Sequence, residues 1–140
     1  MVSKQVKAFL AQKRLAVVGV SEDPSDFSRK LMRKLMRRGY DIVPVNPYAS
    51  AIEGLRCYRR IREIERPVQA VLLFTEPEVA DLAVCECAQM GIKHVWLIRG
   101  VDRMSADAIH LCQINGINAV MGYSPIALLS KQQEVAVARV

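Results

Sequence analysis

Short apolar runs alternate along the chain with longer segments in which apolar residues recur at helical spacing. The runs are five or six residues long and mostly apolar, which is typical of strands buried on both faces of a parallel sheet. They predict strands over residues 15–19, 41–45, 69–74, 94–98 and 117–121. Cap residues, proline and glycine at the ends of the other segments predict helices over residues 3–12, 27–38, 58–65, 77–90 and 105–115.

The regular alternation of strands and helices predicts the fold class. It is that of an α/β protein, a single Rossmann-like, doubly wound domain with a five-stranded parallel sheet. Right-handed crossovers then give the strand order 3-2-1-4-5. We expect this domain to cover residues 1–125 of the 140-residue chain. Residues 126–140 form a C-terminal tail, and its apolar residues either pack on the domain, dock on another protomer, or stay loosely ordered.

In an open parallel sheet, a ligand lies beyond the carboxyl ends of the strands, where the strand order reverses. With the order above, that point falls between the first and fourth strands. Glycine, proline and small polar residues follow each strand there, beginning with Gly19. Gly19 lets the backbone approach a phosphate, or else serves only the turn into the next helix. The GxGxxG fingerprint is absent, and Asn46-Pro47 stands where a dinucleotide site has an acidic residue, so a standard NAD site is disfavoured.

Charge and composition narrow the class of partner. The net charge of +6 favours anionic partners. Six basic residues within 29–38, and five arginines within 56–66, form either a nucleic-acid footprint or the solvated outside of the domain. We favour the solvated face, since no aromatic residues are interleaved to stack bases. In the first helix after the first strand, Arg29 is predicted on this outer face, opposite Leu31 and Leu35.

We expect a cytoplasmic protein without a membrane span. No apolar run approaches the roughly 18 residues that a span needs, and residues 1–12 lack the apolar region of a secretory signal. Four irregularly spaced cysteines are typical of reduced thiols in a cytosolic protein.

No constellation of residues predicts catalysis or metal binding. Cys85 and Cys87 diverge by about 200° on a helix and cannot share a metal, and Cys87 is predicted on the core side with Val79 and Met90. His94 and His110 lie away from the predicted strand ends. We therefore assign no catalytic and no metal-binding residues.

Five segments together resemble a known family. They are VVGVS at 17–21, GYDIVPVNP at 39–47, IEGLRCY at 52–58, AVLLFTEP at 70–77 and VWLIRGV at 95–101. Their order and spacing resemble the small stand-alone CoA-binding domain family, similar to the N-terminal domain of the succinyl-CoA synthetase alpha subunit. The resemblance implies coenzyme A or an acyl-CoA as ligand, lying over the strand ends. The positions it implies are Gly19, Val20, Ser21, Val45, Asn46, Pro47, Phe74, Thr75, Pro77, Arg99, Gly100 and Val101.

The chain also departs from this family. Asp26 stands where many members carry a basic residue and would repel a CoA phosphate, so either Arg29 compensates or affinity is poor. Tyr123-Ser124 replaces the Arg-Cys that often ends the fifth strand. The synthetase relatives need a phosphorylated histidine and a partner subunit that this domain does not contain.

Three roles follow from the resemblance and the charge. The first is non-catalytic binding of CoA or an acyl-CoA in sensing, carrying or regulation, with a protein partner or a second copy of the chain as candidate assembly partners. The second is a nucleotide-binding subunit of an acyl-CoA-handling enzyme that works with a separate catalytic chain. The third is a basic interaction module with a vestigial site.

Overall fold

The computed structural model describes residues 4–75, 77–98 and 105–121. The helices are α1 (Lys4–Leu10), α2 (Phe27–Arg37), α3 (Pro77–Met90) and α4 (Ala106–Ile114). The main strands are β1 (Arg14–Val18), β2 (Asp41–Val45), β5 (Ala70–Leu73), β6 (His94–Leu97) and β7 (Asn118–Val120). Two short strands, β3 (Ala51–Ile52) and β4 (Leu55–Arg56), form a hairpin that is followed by a 3₁₀ helix at Ile61–Glu63. The sequence predicted a helix over residues 58–65 here, and the hairpin was not anticipated.

The five main strands form one parallel sheet in the order β2-β1-β5-β6-β7. The α/β class and the five-stranded parallel sheet are therefore confirmed. The predicted order 3-2-1-4-5 is wrong, because the third main strand, β5, pairs with β1 rather than with β2. The strand order consequently reverses between the adjacent strands β1 and β5, and not between the first and fourth strands as expected.

Pro44 explains why β2 lies at the edge of the sheet. The carbonyl of Pro44 accepts a hydrogen bond from the backbone N–H of Tyr58 at 3.0 Å, on the side of β2 that faces away from β1. The nitrogen and carbonyl of one strand residue point to the same side, so the proline nitrogen also faces the open edge. Between two strands, this position would leave a neighbouring carbonyl without its donor, which is why proline is confined to edge strands.

Helices cover both faces of the sheet. On one face, α1 and α2 pack over Leu15, Val17 and Leu72. On the other face, the 3₁₀ helix, α3 and α4 pack over Ala16 and Val71. Successive strand residues thus point into opposite layers, which accounts for the uninterrupted apolar runs in the sequence.

Three helical positions differ from the expected faces. Arg29 is buried rather than exposed, because its guanidinium is held inside the domain by hydrogen bonds described below. Val79 and Met90 are exposed, whereas Cys87 is fully buried as predicted. The buried face of α3 is formed by the smaller residues Ala80, Ala83 and Val84 together with Cys87.

Candidate functional site

The segments that leave β1 and β5 pack closely against each other at Gly19. This residue has a φ of +85°, and a Cβ atom there would lie 2.5 Å from the Phe74 carbonyl oxygen and 2.9 Å from Cγ2 of Thr75. No other residue fits this backbone without displacing the β5 exit. The glycine is therefore required by the packing of two neighbouring strand ends, which are brought together because β5 lies beside β1.

The loop between β1 and α2 is closed by its own side chains. The Ser21 N–H donates to Oγ of Ser28 at 2.9 Å, and the Asp23 N–H donates to Oγ of Ser21 at 3.0 Å. Asp26 is the N-cap of α2, since its Oδ2 accepts from the Ser28 N–H at 2.9 Å and from the Ser28 hydroxyl at 2.7 Å. The carboxylate of Asp26 thus stands at the start of α2, where the helix would otherwise attract an external anion.

A buried ion pair joins α2 to the hairpin. Nε and Nη2 of Arg29 donate to Oε2 of Glu53 at 3.0 and 2.6 Å, and Nη1 of Arg33 donates to the same oxygen at 2.9 Å. Nη1 of Arg29 donates to the carbonyls of Ser21 and Glu22. The hydrogen bonds from both arginines hold the pKa of the Glu53 carboxyl below its usual range. The hydrogen bonds of the Arg29 guanidinium described here are therefore made to the hairpin and to the first loop.

Asn46 connects the exits of β1 and β2. Its Nδ2 donates to the Val20 carbonyl at 2.8 Å, and its Oδ1 accepts from the Tyr48 N–H at 2.7 Å across Pro47. Its backbone N–H donates to the Tyr58 carbonyl at 2.9 Å. Asn46 is buried, so its amide fixes the backbone on which Pro47 and Tyr48 are presented.

A groove of about 390 Å³ opens at these strand exits. Its floor is formed by the ends of β1, β2 and β5, one wall is formed by α3, and the opposite wall by residues 59–62. Most of the lining is apolar, and two apolar side chains of α3, Val79 and Leu82, are exposed there. The hydroxyl oxygen of Thr75, which also lines this apolar groove, is buried without a hydrogen-bond partner in the described part of the chain.

A second, more polar space of about 670 Å³ lies beside the apolar groove, and we call it the polar cleft. Ser50, Arg56, Tyr58 and Glu63 line it, and the Arg56 guanidinium lies 4.7 Å from the centre of the Tyr58 ring. Pro47 and Arg59 line both the apolar groove and the polar cleft. The two spaces therefore have Pro47 and Arg59 in common.

Most arginines of the segment 56–66 are paired with carboxylates. Nη2 of Arg60 and Nε of Arg62 lie 2.9 and 3.2 Å from Oε2 of Glu86. Arg66 pairs with Asp41, and Arg56 pairs with Glu65. Arg59 is the exception, since no carboxylate in the described ranges pairs with it. These pairings reduce the positive field of the segment, which weakens its interpretation as a nucleic-acid footprint.

The apolar groove brings together four of the residues predicted from the sequence. They are Gly19, Val45, Pro47 and Thr75. Val20 and Phe74 are buried in the core, whereas Ser21, Arg29 and Asn46 are engaged in the hydrogen bonds described above. Pro77 begins α3, and Arg99, Gly100 and Val101 lie outside the described residues, as do Tyr123, Ser124 and the tail.

Sequence reasoning did not single out Arg59 or Leu82. Arg59 was considered only as one of the five arginines within residues 56–66. Leu82 was not distinguished from the other apolar residues of its helix. The signal for Leu82 was its angular distance from Ala80, Val84 and Cys87, which define the buried face of α3.

Within residues 4–75, 77–98 and 105–121, no three His, Cys, Asp or Glu side chains are arranged to hold a metal ion. Cys85 is exposed and Cys87 is buried, so the two thiols diverge as the sequence predicted. None of the helices in these ranges is both long and apolar enough to cross a membrane.

Residues 13–129 match the family model described as "CoA binding domain". The chain is 26% identical over 118 residues to the uncharacterized protein YneT of Bacillus subtilis, covering 84% of this chain and 86% of that protein. It is 25% identical over 91 residues to the alpha subunit of an ADP-forming acetate–CoA ligase II of Pyrococcus furiosus, covering 64% of this chain and 20% of that subunit.

Among solved structures, a hypothetical protein from Pyrococcus horikoshii superimposes with a TM-score of 0.85 at 24% sequence identity. The match covers 95% of this chain and 93% of that one. At this identity the likeness supports the fold alone, and it agrees with the Rossmann-like architecture described above.

Proposed function

The chain belongs to the CoA-binding domain family, and we propose that it binds coenzyme A or an acyl-CoA at the carboxyl ends of its strands without transforming it. The observation that carries the proposal is the apolar groove at the reversal of the strand order. Ligands of open α/β sheets bind at this place. Here the floor of the groove contains Gly19, Val45, Pro47 and Thr75.

The residues of the site fit a ligand that combines an apolar plane with anionic groups. An adenine ring needs apolar surfaces on its faces, and Val45, Pro47 and Leu82 supply them in the groove. The buried hydroxyl of Thr75 has no partner among the described residues, and a polar edge of a bound ligand would satisfy it. At the mouth of the groove, Arg59 supplies positive charge for a phosphate.

The groove has few groups that could carry out acid–base chemistry. Its one carboxylate within the described ranges, Glu86, is bonded to Arg60 and Arg62. His94 belongs to β6, and its ring lies 6.4 Å from the ring of Phe9 in the opposite layer; burial lowers its pKa. We therefore assign the protein a sensing, carrying or regulatory role, in the cytoplasm, where its four free cysteines stay reduced.

The direct test is a thermal-shift and calorimetric titration with CoA, acetyl-CoA, NAD, NADP and ATP. A ligand at 100 times its dissociation constant adds about 2.7 kcal/mol to the free energy of unfolding, which raises Tm by several degrees. We expect this rise with CoA and acetyl-CoA, and a smaller rise or none with NAD. No shift with millimolar CoA species would overturn the proposal.

A matched pair of variants tests the site. Leu82 in the groove is 68% exposed and Ile114 at the end of α4 is 65% exposed, so a charged residue is tolerated equally well at either position. Leu82→Glu places a negative charge in the apolar groove and should weaken CoA binding on the order of tenfold or more. Ile114→Glu should leave binding unchanged. Equal affinity of both variants for CoA would contradict the assignment of the groove.

A second candidate role is that of the CoA-binding subunit of an acyl-CoA-forming enzyme whose catalytic part is a separate chain. The similarity to a ligase alpha subunit supports it, although the chain spans only 20% of that subunit. Under this role, extracts of cells that lack the chain should lose ADP-forming acyl-CoA synthesis and regain it when the purified protein is added. Unchanged synthesis in such extracts would exclude the subunit role and leave CoA binding as the only proposed role.

A further inference from the structure

The first loop, which precedes α2, is poorly prepared to receive an external phosphate. The N–H groups of Ser21, Asp23 and Ser25 in the loop and of Ser28 in the first turn of α2 all donate to side-chain oxygens of the loop or of Ser28. The Asp26 carboxylate caps α2, and its negative charge opposes any second anion at that helix end. Arg29 cannot offset this charge toward a ligand, because Glu53 and two carbonyl oxygens occupy its guanidinium.

Among the described residues, an unpaired positive charge is found instead in the segment of residues 56–66, which lines the apolar groove and the polar cleft. Four of the five arginines within residues 56–66 pair with a glutamate or aspartate. Arg59 has neither an ion pair nor a side-chain hydrogen bond to any residue that the structure describes, and it is exposed at the junction of the apolar groove and the polar cleft. An arginine in this position presents a planar fork that matches a phosphate.

The shapes of the two spaces indicate which phosphate this is. Under the proposed function the adenine ring lies in the apolar groove, and Pro47 lines both this groove and the polar cleft. In CoA, the ribose 3′-phosphate is bonded directly to the sugar that carries adenine, whereas the pyrophosphate leads away through the 5′ carbon. With adenine in the apolar groove and the sugar over Pro47, the 3′-phosphate is the phosphate nearest the adenine, and the polar cleft beside it is lined by Ser50, Arg56 and Arg59.

We propose that Arg59 receives the 3′-phosphate of CoA in the polar cleft and that this contact makes the protein select CoA over dephospho-CoA. The assignment rests on the proposed function. Glu63 also lines the cleft and its charge opposes a phosphate there, whereas the charge of Arg56 is partly offset by its pair with Glu65.

The experiment is a calorimetric titration of CoA and dephospho-CoA into the wild-type protein, Arg59→Gln and Arg66→Gln. Arg66 is the matched control, because it lies in the same segment and pairs with Asp41 at the amino end of β2, far from the strand exits. The wild type and Arg66→Gln should bind CoA on the order of tenfold more tightly than dephospho-CoA. Arg59→Gln should lose this preference while its affinity for dephospho-CoA stays unchanged.

The other outcomes separate the assignment from the proposed function. An equal loss of affinity for both ligands in Arg59→Gln would mean that Arg59 contacts the pyrophosphate, and this overturns the assignment alone. Equal affinity of the wild type for both ligands would do the same. If neither ligand binds the wild type, the proposed function fails and the assignment fails with it.

Glu63→Gln should change the affinity for CoA in the direction opposite to Arg59→Gln. Removal of this carboxylate should strengthen CoA binding several-fold and leave dephospho-CoA binding unchanged, since only the first ligand places a phosphate in the cleft. Glu63 is exposed at the end of the 3₁₀ helix, so the substitution leaves the core intact. Unaltered CoA affinity in this variant would contradict the placement of the 3′-phosphate.

Discussion

Glu53 and Arg29 are 24 residues apart in the chain, yet their side chains meet at 2.6 Å and fasten the β3–β4 hairpin to α2. The contact also fixes the first loop, because the same arginine donates to the carbonyls of Ser21 and Glu22. Glu53 has a φ of 54°, an unusual backbone conformation for a residue other than glycine.

Glu53→Gln should reduce the free energy of unfolding by about 3 kcal/mol, because it leaves the buried Arg29 guanidinium without its counter-charge. Glu65→Gln is the matched control. Glu65 pairs with Arg56, but its side chain is 70% exposed against 18% for Glu53. A surface pair of this kind is worth at most about 1 kcal/mol. Urea unfolding of the two variants measures the difference, and equal losses would contradict the structural role of Glu53.

The same ion pair should make the protein sensitive to acid. The pKa of Glu53 is lowered in the folded state by hydrogen bonds from Arg29 and Arg33. A lowered pKa contributes stability that is complete above the pKa of an unfolded glutamate, about 4.3, and is lost as the pH falls through the lower folded value. The difference in unfolding free energy between wild type and Glu53→Gln should therefore be constant near neutral pH and shrink below about pH 4. A difference independent of pH would rule out this linkage.

Gly19→Ala should destabilise the protein far more than Gly39→Ala. Both glycines have positive φ angles, 85° and 94°, so both substitutions introduce backbone strain of about 1–2 kcal/mol. Only at Gly19 does the new Cβ meet the β5 exit, at 2.5 Å, whereas at Gly39 it meets nothing within 4 Å. Overpacking then adds about 2 kcal/mol more at Gly19. Thermal unfolding measures both, and similar melting temperatures would show that the strand exits are not in contact.

Cys85 should be the one thiol that alkylates rapidly in the native protein. Burial raises the pKa of Cys57 and Cys112, and it raises that of Cys87 to about 12, whereas Cys85 is exposed in the wall of the groove. Mass spectrometry after brief iodoacetamide treatment should show one modified cysteine, and four after unfolding. Acetyl-CoA, which has no free thiol, should slow the native reaction by covering the groove. Rapid loss of several thiols would argue against the burial described.

The sequence was sufficient for the positions of the strands and most helices, because both depend on local patterns. The alternation of Ala16 and Val17 between two layers is an example, and so is the inward orientation of Cys87 on α3. The strand order was predicted wrongly because crossover rules alone do not say on which side of β1 the third main strand pairs. Pro44 carried that information, since a residue without an N–H disfavours a strand with neighbours on both sides.

The site was predicted less completely than the fold. Gly19, Val45, Pro47 and Thr75 could be located because they end a strand or lie within two residues of its end, and strand ends converge in any parallel sheet. Arg29 could not be placed from its helix alone. Its periodicity put it on the solvent side, and its burial depends on Glu53, which reaches it from a hairpin whose Glu53-Gly54 turn the sequence indicates but whose two short strands it did not predict.

The contact between Pro44 and Tyr58 also bears on whether the edge of the sheet can pair with a strand of another chain. The exposed edge of a parallel sheet is a template on which another chain can add a strand. Here the Pro44 carbonyl accepts from the Tyr58 N–H, the Asn46 N–H donates to the Tyr58 carbonyl, and proline offers no N–H of its own. The carboxyl end of β2 therefore offers no unpaired backbone groups at these positions, and the segment at Tyr58 shields this part of the sheet edge from pairing with another strand.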